Sequence, residues 1–360
     1  MRRILVFIMI LVIVLLCLLP ASAQNNSQEE KSMKILCIGH SYSMFIAPTV
    51  YEMAAANGWK VTVGVAYRGN CSYAEHLAYL DNNTLYAEQD SGNMGYYLKC
   101  DNYHPEGEKI ETMALSNIIT DEKWDAIIYQ DCLNTCGLLD AAIDYLVPLH
   151  ELVSDKATNP NVRYYIQELW AFEDPSVIPL TEPLFKAYHE NPTEMYAAVK
   201  TTTDQAAALI GAKVIPSGDA FHLARQSGSY DPTKGGKALC GDAVGHPNIY
   251  GKYLASAVWL DTLFARKPEP NYLPYLFNGE QRIGRLTEQE ATALLDFADQ
   301  AVKAKDGLLP EEPTQETPVS SQTAVTPKEK SFPRVPLVVA AGVLTVAGCV
   351  TAFILRKKKQ

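Results

Sequence analysis

The stretch KILCIGHSYS, Lys34–Ser43, sets the expectation for the whole domain. Its first half, Lys34–Ile38, is a short apolar run of the kind that forms a buried strand, and a Gly-His-Ser turn follows at once. A helical pattern then covers residues 45–57. A strand that leads directly through a tight turn into a helix is typical of a sheet with helices packed on its faces.

The same alternation continues along the chain. Further strand-like runs lie at residues 60–67, 124–131, 162–170 and 212–221, and helical patterns lie near 138–153, 192–210, 249–265 and 287–304. Strands that alternate with helices predict an α/β domain over residues 33–305, a three-layer α/β/α sandwich with a mostly parallel sheet. In such sheets ligands bind beyond the carboxyl ends of the strands, so functional residues are expected just after each apolar run.

Both ends of the chain differ from this domain. Residues 1–23 begin with two Arg, continue through sixteen apolar residues and end in Ala-Ser-Ala, which is typical of a secretory signal peptide, with an uncleaved anchor as the alternative. Residues 335–355 are uncharged and long enough to cross a bilayer, and the basic segment 356–360 favours a cytoplasmic tail. With a spacer at 24–32 and a Pro-, Thr-, Ser- and Glu-rich stalk at 306–334, we expect a single-pass membrane protein with an extracellular domain.

Charge and cysteine content narrow the class of function. Residues 24–334 carry 25 Lys and Arg (31 minus six at the two ends) against 41 Asp and Glu, and this charge of −16 argues against nucleic acid as a partner. Six Cys lie outside the two apolar ends, and their irregular spacing suggests at most one or two disulfides. No metal site is expected, because the pair Cys132 and Cys136 has no second pair to complete four ligands.

Polar residues follow the predicted strands. Gly-His-Ser follows the first strand, Gly69 the second, Gln130 the third, and GDAVGHP, which holds Asp242 and His246, precedes a late helix. A hydroxyl, a glycine with a free backbone donor, an amide and an Asp/His pair are the groups that acyl transfer needs. They serve as nucleophile, oxyanion donors, general base and the group that orients the base.

In this setting ILCIGHSYS resembles the first block of the SGNH/GDSL hydrolases, in which a Ser follows strand one in a GDS- or GNS-type turn. More narrowly, the chain is similar to a bacterial branch of that superfamily with a GNSFS-like start, because GNCS, IIYQD, ELWAF, PSGDAF and HPNIYGKYL follow in the same order. The resemblance covers roughly residues 33–265. It implies an SGNH-hydrolase-like, flavodoxin-like fold and serine hydrolase chemistry that needs no cofactor and no metal.

The resemblance also implies a role for each site residue. Ser41 would be the nucleophile, and its backbone N–H one oxyanion donor. Gly69 would supply a second N–H, and Gln130 stands where many members have a side-chain Asn donor. His246 would be the general base, and Asp242 would orient its imidazole.

Other residues near these blocks have structural interpretations. Trp170, placed with the substrate-binding residues, would line the cleft or pack beside it. Ser43 is interpreted as the cap of the helix after the first strand, and Asp219 as the cap of a later helix. His76 and His222 lie in helical patterns and are expected to be packing or surface residues.

Two positions depart from the family pattern. The usual spacing is Asp-x-x-His, whereas DAVGH has one extra residue. Either Gly245 absorbs that residue in a looser turn, or another group such as a backbone carbonyl orients His246. The second departure is His40, which stands where Asp or Asn is usual.

The expected activity is hydrolysis of carboxylic esters, such as O-acetyl groups on carbohydrate, through an acyl-Ser41 intermediate. Two alternatives stay open. A lipase or thioesterase of the same superfamily should show an apolar rim around Ser41. A catalytically inactive surface module that binds carbohydrate or a host partner is the other, and the extra residue between Asp242 and His246 is its best support.

Overall fold

The computed structural model describes residues 31–87, 95–101, 109–179, 188–278 and 281–307. The expected signal peptide, membrane span and tail lie outside the described residues, as do most of the spacer and all but the first two residues of the stalk. Within the described ranges no helix is both long and apolar enough to cross a bilayer.

A seven-stranded sheet forms the middle layer of the domain. The strands of the described chain are β1 (Ser32–Gly39), β2 (Lys60–Arg68), β3 (Leu85–Tyr86), β4 (Gly95–Cys100), β5 (Lys109–Glu111), β6 (Met113–Ala114), β7 (Ala126–Tyr129), β8 (Arg163–Gln167), β9 (Lys213–Ile215), β10 (Tyr275–Asn278) and β11 (Gln281–Arg285). The large sheet has the order β5-β4-β2-β1-β7-β8-β9, and the pairs β3/β6 and β10/β11 form two small sheets.

The large sheet is mostly parallel, as predicted. Strands β2, β1, β7, β8 and β9 pair in parallel, and they correspond to the five predicted strands. Strands β4 and β5 extend one edge with antiparallel pairs. These two edge strands lie in a polar, Tyr-rich insertion whose sequence did not predict them.

Strand β1 shows why the sheet lies between two layers. Its residues Ile35, Leu36, Cys37 and Ile38 are all fully buried, as expected for a strand that is covered on both faces. Ile35 and Cys37 belong to one apolar core, and Leu36 and Ile38 belong to the other. Successive side chains of a strand point to opposite faces, so this run supplies both cores at once.

Helices cover both faces of the sheet. They are α1 (Ser41–Ala56), α2 (Tyr73–Asp81), α3 (Leu115–Asp121), α4 (Leu139–Ala141), α5 (Val147–Lys156), α6 (Pro192–Ile210), α7 (Ser217–Gln226), α8 (Ile249–Phe264) and α9 (Glu288–Lys305), with a π-helical turn, Ala142–Leu146, between α4 and α5. Helices α1, α7, α8 and α9 bury their apolar faces in the first core, and α2, α3 and α5 bury theirs in the second. The domain is therefore a three-layer α/β/α sandwich.

The six cysteines outside the apolar ends are all described, and all six are buried and outside any disulfide. Cys37 lies in the core strand β1, where its Sγ donates to Ser43 Oγ at 2.9 Å. Cys132 and Cys136 lie one turn apart just after β7. The sequence predicted at most one or two disulfides, and the structure has none among these six residues.

Candidate active site

Ser41 is the first residue of α1 and lies directly beyond the carboxyl end of β1. The helix is capped by His40, whose ring Nδ1 accepts from the Tyr42 N–H at 3.5 Å. The expectation that Ser43 is the cap is wrong, because α1 begins earlier than predicted and Ser43 lies inside its first turn. The first N–H groups of a helix have no partner within it, so the Ser41 N–H lies at the positive end of α1.

His40 is a buried structural residue rather than a charged one. Its Nε2 donates to the Asp131 carbonyl oxygen at 2.9 Å, which leaves Nδ1 unprotonated and able to cap α1. Burial lowers the pKa of His40 to about 3, and the hydrogen bond to Asp131 offsets only part of that effect. The side chain is therefore neutral at physiological pH and braces the nucleophile turn in the way expected of the usual Asp or Asn.

Three side chains form a continuous hydrogen-bonded chain at the end of the sheet. His246 Nε2 lies 2.7 Å from Ser41 Oγ, and His246 Nδ1 lies 2.6 Å from Asp242 Oδ2. A carboxylate only accepts, so Nδ1 carries the ring proton and Nε2 is the free base that faces the hydroxyl. This is the tautomer that can take the proton from Ser41 Oγ.

The turn Asp242–His246 shows how the extra residue is accommodated. Asp242 Oδ1 accepts from the backbone N–H groups of Val244 at 3.1 Å and His246 at 3.0 Å, while Oδ2 holds the imidazole. Gly245 adopts a left-handed backbone with φ of +72°. The extra residue is thus absorbed in a turn built around the Asp242 carboxylate, with Gly245 at the position that needs the freedom of glycine.

The surroundings of Asp242 favour the ionised form of its side chain over the protonated form. Its side chain remains 45% exposed. Partial burial acts to raise the pKa of Asp242, but the hydrogen bond from the His246 ring and the two backbone N–H groups outweigh it and lower the pKa. Asp242 therefore stays ionised through the neutral range, which is the state needed to orient the imidazole.

The sheet register places Gly69 at the same edge as Ser41. Gly39, the last residue of β1, pairs with Tyr67 of β2, so Ser41 and Gly69 each lie two residues beyond paired positions on neighbouring parallel strands. The side chain of Asn70 then ties this turn to the loop after β7, because its Oδ1 accepts from the Leu133 N–H at 3.1 Å. The structure thus brings the Gly69 turn to the level of the nucleophile.

Gln130 is placed differently from the sequence expectation. Its side chain is fully buried below the nucleophile turn, where Oε1 accepts from the His40 N–H at 3.1 Å and from Ser43 Oγ at 2.8 Å. Its Nε2 donates to Gln167 Oε1 at 2.9 Å, so the group expected to hold an oxyanion is already bound to a neighbouring strand. The contacts of Gln130 are those of a brace between β1, β7 and β8, and its role as an oxyanion donor stays a prediction.

Trp170 packs behind the site and does not line it. Its side chain is fully buried and stacks between Tyr42, at a centroid distance of 4.5 Å, and Phe221, at 4.4 Å. The indole Nε1 donates to the Gly245 carbonyl oxygen at 3.0 Å. Of the two sequence expectations for Trp170, the structure agrees with packing and not with direct contact to a substrate.

Asp219 has a structural role, but it is not the cap of its helix. It is the third residue of α7, where Oδ1 accepts from Tyr196 Oη at 2.6 Å and from Lys200 Nζ at 2.7 Å. The backbone N–H of Asp219 is bound instead by Glu168 Oε1 at 2.6 Å. Burial raises the pKa of Glu168 to about 8, and the charge of Asp219 adds to this rise.

The histidines outside the site occupy helices, as expected. His76 is fully buried in α2, and its Nδ1 lies 2.5 Å from Tyr86 Oη. His222 lies in α7 and stacks on Tyr196 at a centroid distance of 4.0 Å. Over the described parts of the chain, no group of three or more His, Cys, Asp or Glu side chains is close enough to hold a metal ion.

A family model described as a domain of unknown function, DUF4886, matches residues 34–281, more than two thirds of the chain. The chain belongs to the DUF4886 family. The match includes every residue of the Ser41–His246–Asp242 chain. No curated protein is detectably similar to this DUF4886 chain.

Solved structures extend the comparison. A DUF4886 family protein from Bacteroides uniformis ATCC 8492 is 25% identical, with a TM-score of 0.64, and the match covers 77% of this chain and 96% of that one. A lipase/acylhydrolase from Enterococcus faecalis is 13% identical, with a TM-score of 0.40, over 65% of this chain and 97% of that one. The first comparison shows that the fold is shared within the DUF4886 family. The second is too distant to bear on what this chain does.

The sequence did not identify the residues that support the site. Tyr42, Ser43 and Gln167 hold the turns that carry Ser41 and His246, yet they occur in apolar or mixed runs without a distinctive pattern. Only Gly39 carried a usable signal. A Cβ there would lie 2.9 Å from Gln130 Oε1 and 3.0 Å from Ser43 Oγ, so the glycine marks where the Gln130 side chain crosses beneath the turn.

Proposed function

We propose that this chain is a serine hydrolase that cleaves carboxylic esters through an acyl-Ser41 intermediate. The observation that carries the proposal is the unbroken chain from Ser41 Oγ through the His246 imidazole to the Asp242 carboxylate, with bonds of 2.7 and 2.6 Å. Nucleophile, base and orienting acid are in the geometry and protonation states that acyl transfer uses.

The proposed reaction has two steps. Ser41 Oγ attacks the ester carbonyl carbon as its proton moves to His246 Nε2, and the resulting oxyanion lies near the Ser41 N–H at the start of α1. The C–O bond to the alcohol then breaks, and His246 gives its proton to the leaving oxygen. In the second step water adds to the acyl carbon as its proton moves to His246 Nε2, the bond between that carbon and Ser41 Oγ breaks, and His246 returns the proton to Oγ as the acid is released.

The geometry removes the main sequence argument for an inactive module. That argument rested on the extra residue between Asp242 and His246, and Gly245 absorbs this residue without breaking the hydrogen bond between them. Esters of carbohydrate, such as O-acetyl groups, are our proposed substrate class, because the sequence favours an exported domain at the cell surface. The ring of Phe45 packs edge-on against the His246 imidazole at a centroid distance of 4.7 Å, and the panel of esters below decides between the proposed class and the alternative of a lipase or thioesterase.

A fluorophosphonate probe applied to the full-length protein tests the proposal. We expect labelling and p-nitrophenyl acetate hydrolysis in the natural chain, and loss of both in Ser41→Ala. The matched control is Ser154→Ala, which removes an exposed hydroxyl of α5 that donates to the Glu151 carbonyl oxygen, and which should keep labelling. An unlabelled but folded natural chain would contradict the proposal.

A panel of esters then identifies the substrate class. Acetylated sugars, p-nitrophenyl esters of increasing chain length, a phospholipid and a thioester are compared by kcat/KM. Preference for acetylated sugar supports the proposed class, and preference for long acyl chains supports the lipase alternative.

Membrane tethering and the extracellular position of the domain are also proposals. They rest on the apolar segments at residues 1–23 and 335–355 and on the basic end of the chain. Digestion of intact cells with an added protease should release the domain into the medium. Protection of the domain until the cells are lysed would contradict this placement.

A further inference from the structure

The turn that carries His246 accepts side-chain hydrogen bonds at two consecutive carbonyl oxygens. Tyr42 Oη donates to the Val244 carbonyl at 2.8 Å, and Trp170 Nε1 donates to the Gly245 carbonyl at 3.0 Å. Both donors come from buried aromatic rings, and the rings lie 3° from parallel at 4.5 Å. Two side chains from different elements therefore hold the backbone of one short turn.

Tyr42 connects the base to the nucleophile. It directly follows Ser41 at the start of α1, so the backbone that carries the nucleophile also carries the hydroxyl that holds the His246 turn. Any movement of this turn relative to Ser41 must break or bend the Tyr42 bond. The contact thus bears on the 2.7 Å separation of Ser41 Oγ and His246 Nε2.

Trp170 is itself held in place by its packing against α7. Phe221 of α7 stacks on its other face, 9° from parallel. Gly218 allows α7 to approach the chain just before Trp170, because a Cβ there would collide with the Leu169 carbonyl oxygen. One residue earlier, Glu168 Oε1 binds the first turn of α7 through the Asp219 N–H. A residue held in this way keeps its own donor in a fixed position.

The extra residue between Asp242 and His246 explains why the turn needs these two hydrogen bonds. A turn with one more residue has more backbone freedom, and Gly245 adds further freedom because it has no Cβ. The Asp242 carboxylate closes the turn from inside, but Asp242 is itself 45% exposed and lies on the solvent side. The buried side of the turn is held by Tyr42 and Trp170.

We propose that Tyr42 and Trp170 form a carbonyl clamp that positions His246 against Ser41. Both are positioning residues, since they act through the turn and do not touch the reacting atoms. The inference rests on the proposed hydrolase function for its kinetic consequence. Its structural consequence, a fixed hydrogen bond between His246 and Asp242, can be observed whether or not the chain is an enzyme.

Trp170→Phe in the full-length protein tests the clamp, because it keeps an aromatic ring in the stack and removes the N–H donor together with part of the indole. We expect kcat for p-nitrophenyl acetate and the rate of fluorophosphonate labelling to fall about tenfold or more, with KM changed less than twofold, because small misplacement of a base is costly. Tyr42→Phe should act in the same direction through the Val244 carbonyl.

Trp124→Phe is the matched control. Trp124 is equally buried, and its Nε1 donates to the Ile118 carbonyl oxygen at the same distance of 3.0 Å, but it lies in the second core away from the site. It should lower the thermal midpoint as much as Trp170→Phe while leaving kcat and the labelling rate unchanged. Equal kcat in the two variants would overturn the clamp.

Proton NMR separates failure of the clamp from failure of the proposed function. The His246 Nδ1 proton, held by Asp242, should give a downfield resonance that is sharp in the natural chain and in Trp124→Phe, and broadened or lost in Trp170→Phe. If the natural chain is not labelled by the probe, the hydrolase proposal fails, and this resonance still decides the clamp. An unchanged resonance in Trp170→Phe overturns it. If Trp170→Phe does not fold, Tyr42→Phe, which removes a single oxygen atom, gives the same readouts.

Discussion

His246 Nε2 lies 2.7 Å from Ser41 Oγ although 205 residues separate them in the chain. The sheet brings Ser41 to the end of its central strand, and the turn before α8 brings His246 to the same edge. The Ser41 hydroxyl and the His246 imidazole are in direct hydrogen-bond contact, which is the arrangement that the proposed first proton transfer uses.

Asp242→Asn should lower kcat by about 10²- to 10⁴-fold and leave the protein folded. Asn keeps an oxygen for the backbone N–H groups of the turn, but it loses the charge that holds the Nδ1 proton of His246. We expect the loss near the lower end, since Asp242 is 45% exposed and water can replace part of the interaction. Steady-state kinetics measure the effect. Asp231→Asn, which removes the charge of another turn aspartate, should leave kcat unchanged.

Gly245→Ala should disrupt the site more than the same substitution does at a left-handed glycine that has no close neighbours. An added Cβ would lie 2.8 Å from Phe172 Cδ1 and closer still to Tyr42 Oη, so the turn must move. We expect an unfolding free energy lower by about 2–4 kcal/mol, from left-handed strain and overpacking together, and a large fall in kcat.

Gly235→Ala is the control for this prediction. Gly235 has φ of +81° and no atom within 4 Å of an added Cβ, so the change introduces strain alone, about 1–2 kcal/mol. Chemical denaturation and kinetics on both variants separate the two effects. Equal losses in the two variants would mean that the contacts of Gly245 with Phe172 and Tyr42 do not matter.

Gln130→Leu should destabilise the protein by about 2–4 kcal/mol, because it leaves the buried His40 N–H and Gln167 without their partners. The labelling rate of the folded fraction should fall less than tenfold. An oxyanion donor would instead give a loss of about 10²- to 10³-fold with little change in stability. Denaturant titration and probe kinetics on the same sample distinguish a brace from a donor.

His76→Asn should change how stability depends on pH. Burial lowers the pKa of His76 to about 3 from an ordinary value of 6.5, so below pH 6.5 the unfolded chain binds a proton that the folded chain does not. The natural protein therefore loses about 1.4 kcal/mol of stability per pH unit from this residue as pH falls from 6.5 towards 3.

The variant lacks that contribution. The difference in unfolding free energy between natural chain and variant should stay constant above pH 7.5 and shift in favour of the variant by about 1.4 kcal/mol per unit between pH 6 and 4.5. Differences are compared because other buried groups, such as Asp131 with its pKa raised to about 6 by burial, act in the opposite direction in both proteins. A constant difference from pH 8 to 4.5 would contradict the prediction.

The fold could be predicted because its parallel strands are continuous apolar runs. Ile35–Ile38 must be buried on both faces, and only a sheet between two helical layers provides this. Strands β4 and β5 were not predicted, since they lie in a polar insertion where alternation of polar and apolar residues is weak. The antiparallel pairing of β4 with β2 and of β5 with β4 depends on tertiary contacts that the local sequence does not determine.

The site could be predicted in part. Ser41, Asp242 and His246 follow strand ends or precede a helix, and the structure brings them together. Gln130 also follows a strand end, but the direction of its side chain depends on the space beside Gly39 and on the partner Gln167, and the sequence shows the glycine without showing which side chains lie next to it. The position of a residue just after a strand predicts that it lies at the carboxyl edge of the sheet. Its contacts with neighbouring side chains decide what its own side chain does.

The six buried cysteines of the described domain are not cross-linked to one another. Burial raises the pKa of Cys37 and Cys132 to about 12 and that of Cys240 higher, so thiolate is scarce at neutral pH and exchange with external disulfides is slow. With no cross-link among the six, reductant has no bond to break. The folded state of the described domain therefore does not rely on a disulfide among these six residues.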